Sequence, residues 1–162
     1  MTRQYVREEY LLSGVTARII KAAKEVHQEI GPGFEEVIYQ RALALEFPAH
    51  GLDFSREVWI DVHYKGEKIG RKRVDFIVDE VLVEIKAKAV LEDVAFVQTL
   101  SYLKASGYKV ALLLNFGARR LEIKRIVYEK GRRGRIAEGA DDAEGDGFQR
   151  TQRDSAFSAV QE

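Results

Sequence analysis

The sequence predicts an α/β domain in which a central mixed β-sheet is flanked by helices. Two apolar stripes of helical period open the chain, three strand-like runs follow in close succession, and a further helical stripe separates these from two more strands. The 162 residues, 46% hydrophobic and 32% charged, suit one core large enough to stand without disulfides or a structural metal.

In the first helix, Val15, Ile19, Ala22, Val26 and Ile30 recur at three- and four-residue intervals between Gly14 and Ile30, and Gly31-Pro32-Gly33 ends it. A second helix is expected from Phe34 to Phe47, closed by Pro48 and Gly51. Glu36, Tyr39, Leu43 and Phe47 share one stripe of it, so a carboxylate stands in line with three large apolar or aromatic side chains. Val58, Ile60, Val62 and Tyr64 then alternate with Trp59, Asp61 and His63, the pattern of a strand with one face on a core. Lys65 to Lys68 reads as a turn. Strands are predicted over Arg73 to Val78 and Val81 to Lys86, separated by Asp79-Glu80. The third helix, Glu92 to Ser106, is expected to turn Val94, Val97, Leu100 and Leu103 or Ala105 inward and to stop at Gly107. Val110 to Leu114 is a continuous apolar run typical of a strand covered on both faces, and Leu121 to Tyr128 is a more polar last strand. Residues 1–13 read as an N-terminal extension and 14–128 as the domain. Glycines scattered among charges from Glu129 to Glu162 predict a disordered tail.

Composition narrows the function. The absence of cysteine excludes a disulfide framework, a thiolate zinc site and a cysteine nucleophile, and fits a reducing compartment. Met1 to Tyr10 is charged rather than apolar, and no apolar run approaches the roughly 20 residues of a membrane-spanning helix. A cytoplasmic location without membrane association is therefore the expectation. Basic and acidic residues number 26 each, which argues against tight non-specific nucleic-acid binding. Two local basic clusters soften that argument: Lys65, Lys68, Arg71, Lys72 and Arg73, and Arg119, Arg120, Lys124 and Arg125. Charge runs of this kind also occur as solvated surface.

The chemistry centres on the hairpin. With Asp79-Glu80 as its loop, Val78 faces Val81, Phe76 faces Val83 and Asp75 faces Glu84. This register places Val74, Phe76, Val78, Val81, Val83 and Ile85 on one apolar face and Asp75, Glu84 and Lys86 on the other. Asp-Glu is an unusual two-residue turn, since both positions require positive φ. Two carboxylates with Cβ atoms about 4.5–5.5 Å apart repel unless a cation lies between them. Mg²⁺, a hard ion taking oxygen ligands, needs only one or two carboxylates plus a substrate phosphate, and Mn²⁺ is the alternative. Bound there, it would polarise a phosphoryl oxygen and make hydroxide available, with Lys86 placed to orient that water or stabilise developing charge. On spacing alone, a solvated strand face carries the same pattern.

The run from Val26 to Tyr39, with Gly33, Glu36 and Tyr39 at the key positions, resembles the GxxExxY family, which is grouped with the PD-(D/E)xK nuclease superfamily. Asp75 and Glu84-Ile85-Lys86 match the superfamily's isolated aspartate and E-x-K, with Val74 where its name has proline. Gln98 and Tyr102 match a Q-x-x-x-Y helix motif, and Leu113 to Gly117 resembles the family's strand and turn. The similarity covers Gly14 to Tyr128. It implies a restriction-endonuclease-like core and a divalent-metal site at Asp75, Glu84 and the Ile85 carbonyl, faced by Glu36. Gln98 and Tyr102, four apart on one helical face, could position Lys86 or contact phosphate. His27 and Tyr39 could contact substrate or simply pack, and Trp59 and His63 could stack on a base. The activity implied is Mg²⁺-dependent phosphodiester hydrolysis with DNA preferred over RNA as partner. The alternative is a domain of this fold that binds nucleic acid, a protein partner or a second copy of itself without cutting.

Overall fold

A computed structural model describes residues 12–130 and the strand 137–140. The elements run α1 (Ser13–Ile30), α2 (Glu36–Ala49), β1 (Phe54–Tyr64), β2 (Glu67–Val78), β3 (Val81–Lys86), α3 (Asp93–Ser106), β4 (Val110–Asn115), β5 (Glu122–Val127) and β6 (Ala137–Ala140). The strands lie in one sheet in sequence order, antiparallel except for the parallel β3–β4 pair that α3 connects. This is the mixed sheet flanked by helices that the periodicities predict. Of the N-terminal extension, 1–11 lie outside the described residues. Of the segment read as a tail, 131–136 and 141–162 do too, while Ala137–Ala140 form a short strand against β5.

Two cores sandwich the sheet. On one face α1 and α2 bury Ile19, Ala22, Val26, Tyr39, Leu43 and Phe47 against Phe76, Val78, Val81, Val83 and Ile85. Phe47, Phe54 and Phe76 meet there edge to face or tilted, with centroids 5.1–5.6 Å apart. On the other face Leu100 and Leu103 of α3 pack with Ile60, Val74, Leu82, Ala111 and Ile126. The unbroken apolar run of β4 follows, since every residue from Val110 to Asn115 is buried.

Three expectations are corrected. Val94 and Val97 are exposed on α3, because the helix seats Ala95 and Thr99 inward instead. Those small residues permit a close approach, and the Thr99 hydroxyl is satisfied by the Ala95 carbonyl at 2.8 Å. Val74 packs on the α3 side, although period two assigns it to the face of Phe76. Regular pairing of β1 with β2 breaks opposite Asp75, where Glu57 adopts φ 51°, so the pleat changes face there. Finally, β2 begins at Glu67 rather than Arg73. Backbone pairing with β1 continues to Tyr64 and Glu67, well past the residues that have a core to pack on.

Candidate metal centre

The hairpin register holds, with Val78 opposite Val81 and Phe76 opposite Val83. The turn is made by two non-glycine residues at positive φ, Asp79 (40°) and Glu80 (70°), as the two-residue loop demands. Regular pairing stops one step before Asp75 and Glu84, and the two carboxylates take over. Asp75 N–H donates to Glu84 Oε1 at 3.0 Å, and Ile85 N–H donates to Asp75 Oδ2 at 2.8 Å. Each strand's acid thus caps the other strand's backbone, and the acids are locked side by side where β2 and β3 part.

Helices close the gap from both layers. Gln40 of α2, 6% exposed, donates from Nε2 to Asp75 Oδ1 at 3.2 Å and accepts from Arg56 Nη2 at 2.8 Å. Glu36, one turn earlier on α2, is exposed but close enough that its charge raises the pKa of both buried acids. From the α3 side, Gln98 Oε1 accepts from Lys86 Nζ at 3.2 Å. Tyr102 is half-buried, and its phenol is held above its usual range by burial and by the Glu84 and Asp75 charges.

The Ile85 carbonyl can be placed by alternation along β3. The Lys86 carbonyl accepts from Phe116 N–H at 2.8 Å, on the β4 side. Neighbouring carbonyls of a strand point to opposite edges, so that of Ile85 faces the β2 side, where its own N–H already meets Asp75.

Electrostatics show what this arrangement lacks in protein alone. Glu84 is 6% exposed, and burial together with the Asp75 charge pushes its carboxyl up to about 8. Burial also raises Asp75, with Glu36 adding to it, although the Ile85 N–H, Lys86 and Gln40 oppose the shift. One lysine does not neutralise three carboxylates. A divalent cation favours the ionised form of every one of them, and an all-oxygen donor set suits Mg²⁺ or Mn²⁺. The residues fit such an ion.

His27 and Tyr39 have other partners. Tyr39 is fully buried. Its hydroxyl donates to the Gly31 carbonyl at 2.6 Å and accepts from Phe34 N–H at 3.3 Å, pinning the loop in which Gly33 takes φ 117°. Its ring stacks on Phe116 at 4.7 Å. His27 Nε2 lies 3.1 Å from the Ala118 carbonyl. Both brace the turn after β4 that receives the Lys86 carbonyl.

Sequence reasoning missed Gln40 and Arg56, and read Asn115 only as part of the strand and turn from Leu113 to Gly117. Gln40 was findable, lying one turn from Glu36 on the helix that faces the carboxylates. Asn115 is fully buried, accepts from Lys88 N–H at 2.9 Å and donates to the Lys88 carbonyl at 2.8 Å, clamping the chain just beyond Lys86. Nothing in its spacing signals that bond.

The chain is an α/β protein whose paired acids and lysine meet where two strands separate. Residues 13–126, from α1 to within one residue of the end of β5, match the PD-(D/E)XK nuclease superfamily, and the chain belongs to it. Membership implies a nucleic-acid substrate. No curated protein and no solved structure matches the chain. No helix among the described residues is long and apolar enough to cross a membrane.

Proposed function

We propose that this protein is a Mg²⁺-dependent nuclease of the GxxExxY type, hydrolysing phosphodiester bonds with DNA preferred over RNA. The observation that carries the reading is the reciprocal capping of Asp75 and Glu84, which holds two buried carboxyl groups side by side although burial and the Asp75 charge push Glu84 up to about 8. A binding module has no need of that arrangement.

Asp75, Glu84 and the Ile85 carbonyl would hold the ion, with Glu36 coordinating directly or through water. Mg²⁺ supplies Lewis acidity toward a phosphoryl oxygen and a water of lowered pKa. Gln40 keeps Asp75 from rotating away, through its own bond to Arg56. Lys86, oriented by Gln98, presents its ammonium group to the attacking water or to the negative charge that develops on the phosphoryl oxygens. Tyr102 stands beside the acids as a donor toward phosphate.

Calorimetric titration with Mg²⁺ or Mn²⁺, wild type beside Asp75→Ala, tests the site, and single- and double-stranded substrates test turnover. Saturable binding in the wild type, lost in Asp75→Ala together with cleavage, is expected. Failure of the wild type to bind either ion refutes the reading. Metal binding without cleavage moves it to a non-cleaving nucleic-acid- or protein-binding domain, a role to which the zero net charge is suited.

A further inference from the structure

Beyond Val74 and Val58 the β1–β2 pair extends as a two-stranded ribbon with few core contacts. Ile60 is buried, but every residue from His63 to Arg73 is exposed. The ribbon's two faces differ sharply. Val58, Ile60 and Val74 pack toward α3. The alternate residues Trp59 and Asp61, paired with Arg73 and Arg71, therefore face the other way, toward the layer of α1 and α2. After the irregularity at Val62/His63, His63 and Lys68 continue this outer face.

Trp59 is 51% exposed, and the Arg71 guanidinium lies over its ring at 4.1 Å, with Arg73 at 5.8 Å. Between positions 56 and 73 six cationic side chains stand against three acidic ones, in a chain whose net charge is zero. The two acids beside this outer face are already engaged: Asp61 by Lys68 at 2.9 Å and Glu57, more loosely, by Arg73 at 3.8 Å.

We propose that the outer face of this ribbon, with Trp59, Arg71, Arg73 and Lys68, docks single-stranded DNA and leads it into the metal centre. A large exposed aromatic flanked by cations is the arrangement that stacks a base while neutralising the adjoining phosphates. Duplex offers no free base face to Trp59. The choice of DNA over RNA follows the nuclease reading above, and oligouridylate in the test below decides it. The direction follows from connectivity. Arg73, opposite Trp59, is two strand residues, about 7 Å, from Asp75. The same side of the sheet carries α2, which supplies Gln40 and Glu36 to the centre.

The proposal rests on the nuclease reading, yet it can fail separately. Trp59 is the single tryptophan of the chain, so fluorescence excited selectively at tryptophan reports from the proposed surface. The full chain is titrated in EDTA with oligothymidylate, with a duplex of the same length and with oligouridylate. Saturable quenching by oligothymidylate, weaker for the other two, is expected. For variants, anisotropy of a labelled oligothymidylate replaces fluorescence. Trp59→Ala is expected to weaken binding roughly 5- to 100-fold, and Trp59→Phe to recover part of the loss. Arg71→Gln with Arg73→Gln should lower the dependence of log affinity on log salt by about 0.7 per lost phosphate contact. Quenching absent, or stronger with duplex or RNA, overturns the proposal, as does unchanged affinity in Trp59→Ala with circular dichroism intact. Mg²⁺ titration separates the two readings. Metal binding and cleavage without quenching defeat the docking surface alone, whereas quenching without metal binding defeats the nuclease reading alone.

Discussion

Gly117 is fixed by its neighbours rather than by its own torsion angles. A Cβ at this position would lie 2.3 Å from the Lys88 nitrogen and 2.4 Å from the Ala87 carbonyl carbon, both backbone atoms that cannot swing aside. These are the residues that follow Lys86 at the end of β3, and Asn115 holds Lys88 from the same turn. Gly117→Ala must therefore push the β3 exit away from β4 or break the Asn115 clamp. The expected outcome is a loss of about 2–4 kcal/mol in urea unfolding, in the range of overpacking plus a broken buried hydrogen-bond pair. Mg²⁺ affinity should fall in the variant molecules that remain folded, because Ile85 and Lys86 move with the strand. A stability change under about 0.5 kcal/mol, the range of an ordinary surface substitution, would show that the two segments separate freely.

At the scale of elements, the β2–β3 hairpin sets the site, and its turn is the weakest part of the design. Asp79 and Glu80 both occupy the left-handed region, which is unfavourable by roughly 1–2 kcal/mol per residue for side chains with a Cβ. The Asp79 N–H is anchored to the Asp53 carbonyl at 3.1 Å, and Glu80 is exposed. Glu80→Gly should accordingly raise stability by about 0.5–1 kcal/mol, the relief of the turn less the extra freedom of glycine in the unfolded chain. The measurement is the urea midpoint, and a decrease would mean that Glu80 makes a compensating contact. This hairpin also explains what was legible in the sequence. Binary pattern alone selected the even register, because only it gathers Val74, Phe76, Val78, Val81, Val83 and Ile85 on one face; all but Val74 pack there, and the register placed Asp75 beside Glu84 despite the poor turn. Where packing competes with pattern, the sequence was less informative. Val94 and Val97 look like the inner stripe of α3, but the small Ala95 and the self-satisfied Thr99 allow a closer seat. Val74 follows period two up to a break that begins in the neighbouring strand, at Glu57, and no local reading of β2 reveals it. Tyr39 shares a stripe with Glu36, yet the carbonyl that captures its hydroxyl belongs to the loop before the helix.

For the molecule as a whole, the buried acids link folding to protons and, on the proposed site, to metal. Glu84 ordinarily titrates near 4.5 and is pushed up to about 8 in the folded chain, by burial first and the Asp75 charge second. The folded protein therefore holds this proton more tightly than the unfolded one. Its contribution to stability is complete below about 4.5 and is lost as pH climbs through about 8. Asp75 is raised as well and acts in the same direction. Asp61 and Glu25, both held below their usual values by ion pairs or hydrogen bonds at the surface, lose their contribution only at the acid end. The metal-free protein should thus lose stability from pH 5 to pH 8.5, by an amount on the order of a few kcal/mol, and melt at progressively lower temperature. On the proposed metal site, Mg²⁺ should reverse the sign. It would bind the ionised acids, so stabilisation by the ion should grow over the same interval as protons leave. Glu84→Gln separates this linkage from a general effect of pH. It removes the charge without the volume, so in EDTA the variant should be the more stable protein near pH 8 and should lose most of the downward slope, while its Mg²⁺-dependent rise in melting temperature disappears. Scanning calorimetry of both proteins across pH, with EDTA and with Mg²⁺, distinguishes the cases. An identical slope in the wild type and Glu84→Gln would place the buried proton elsewhere.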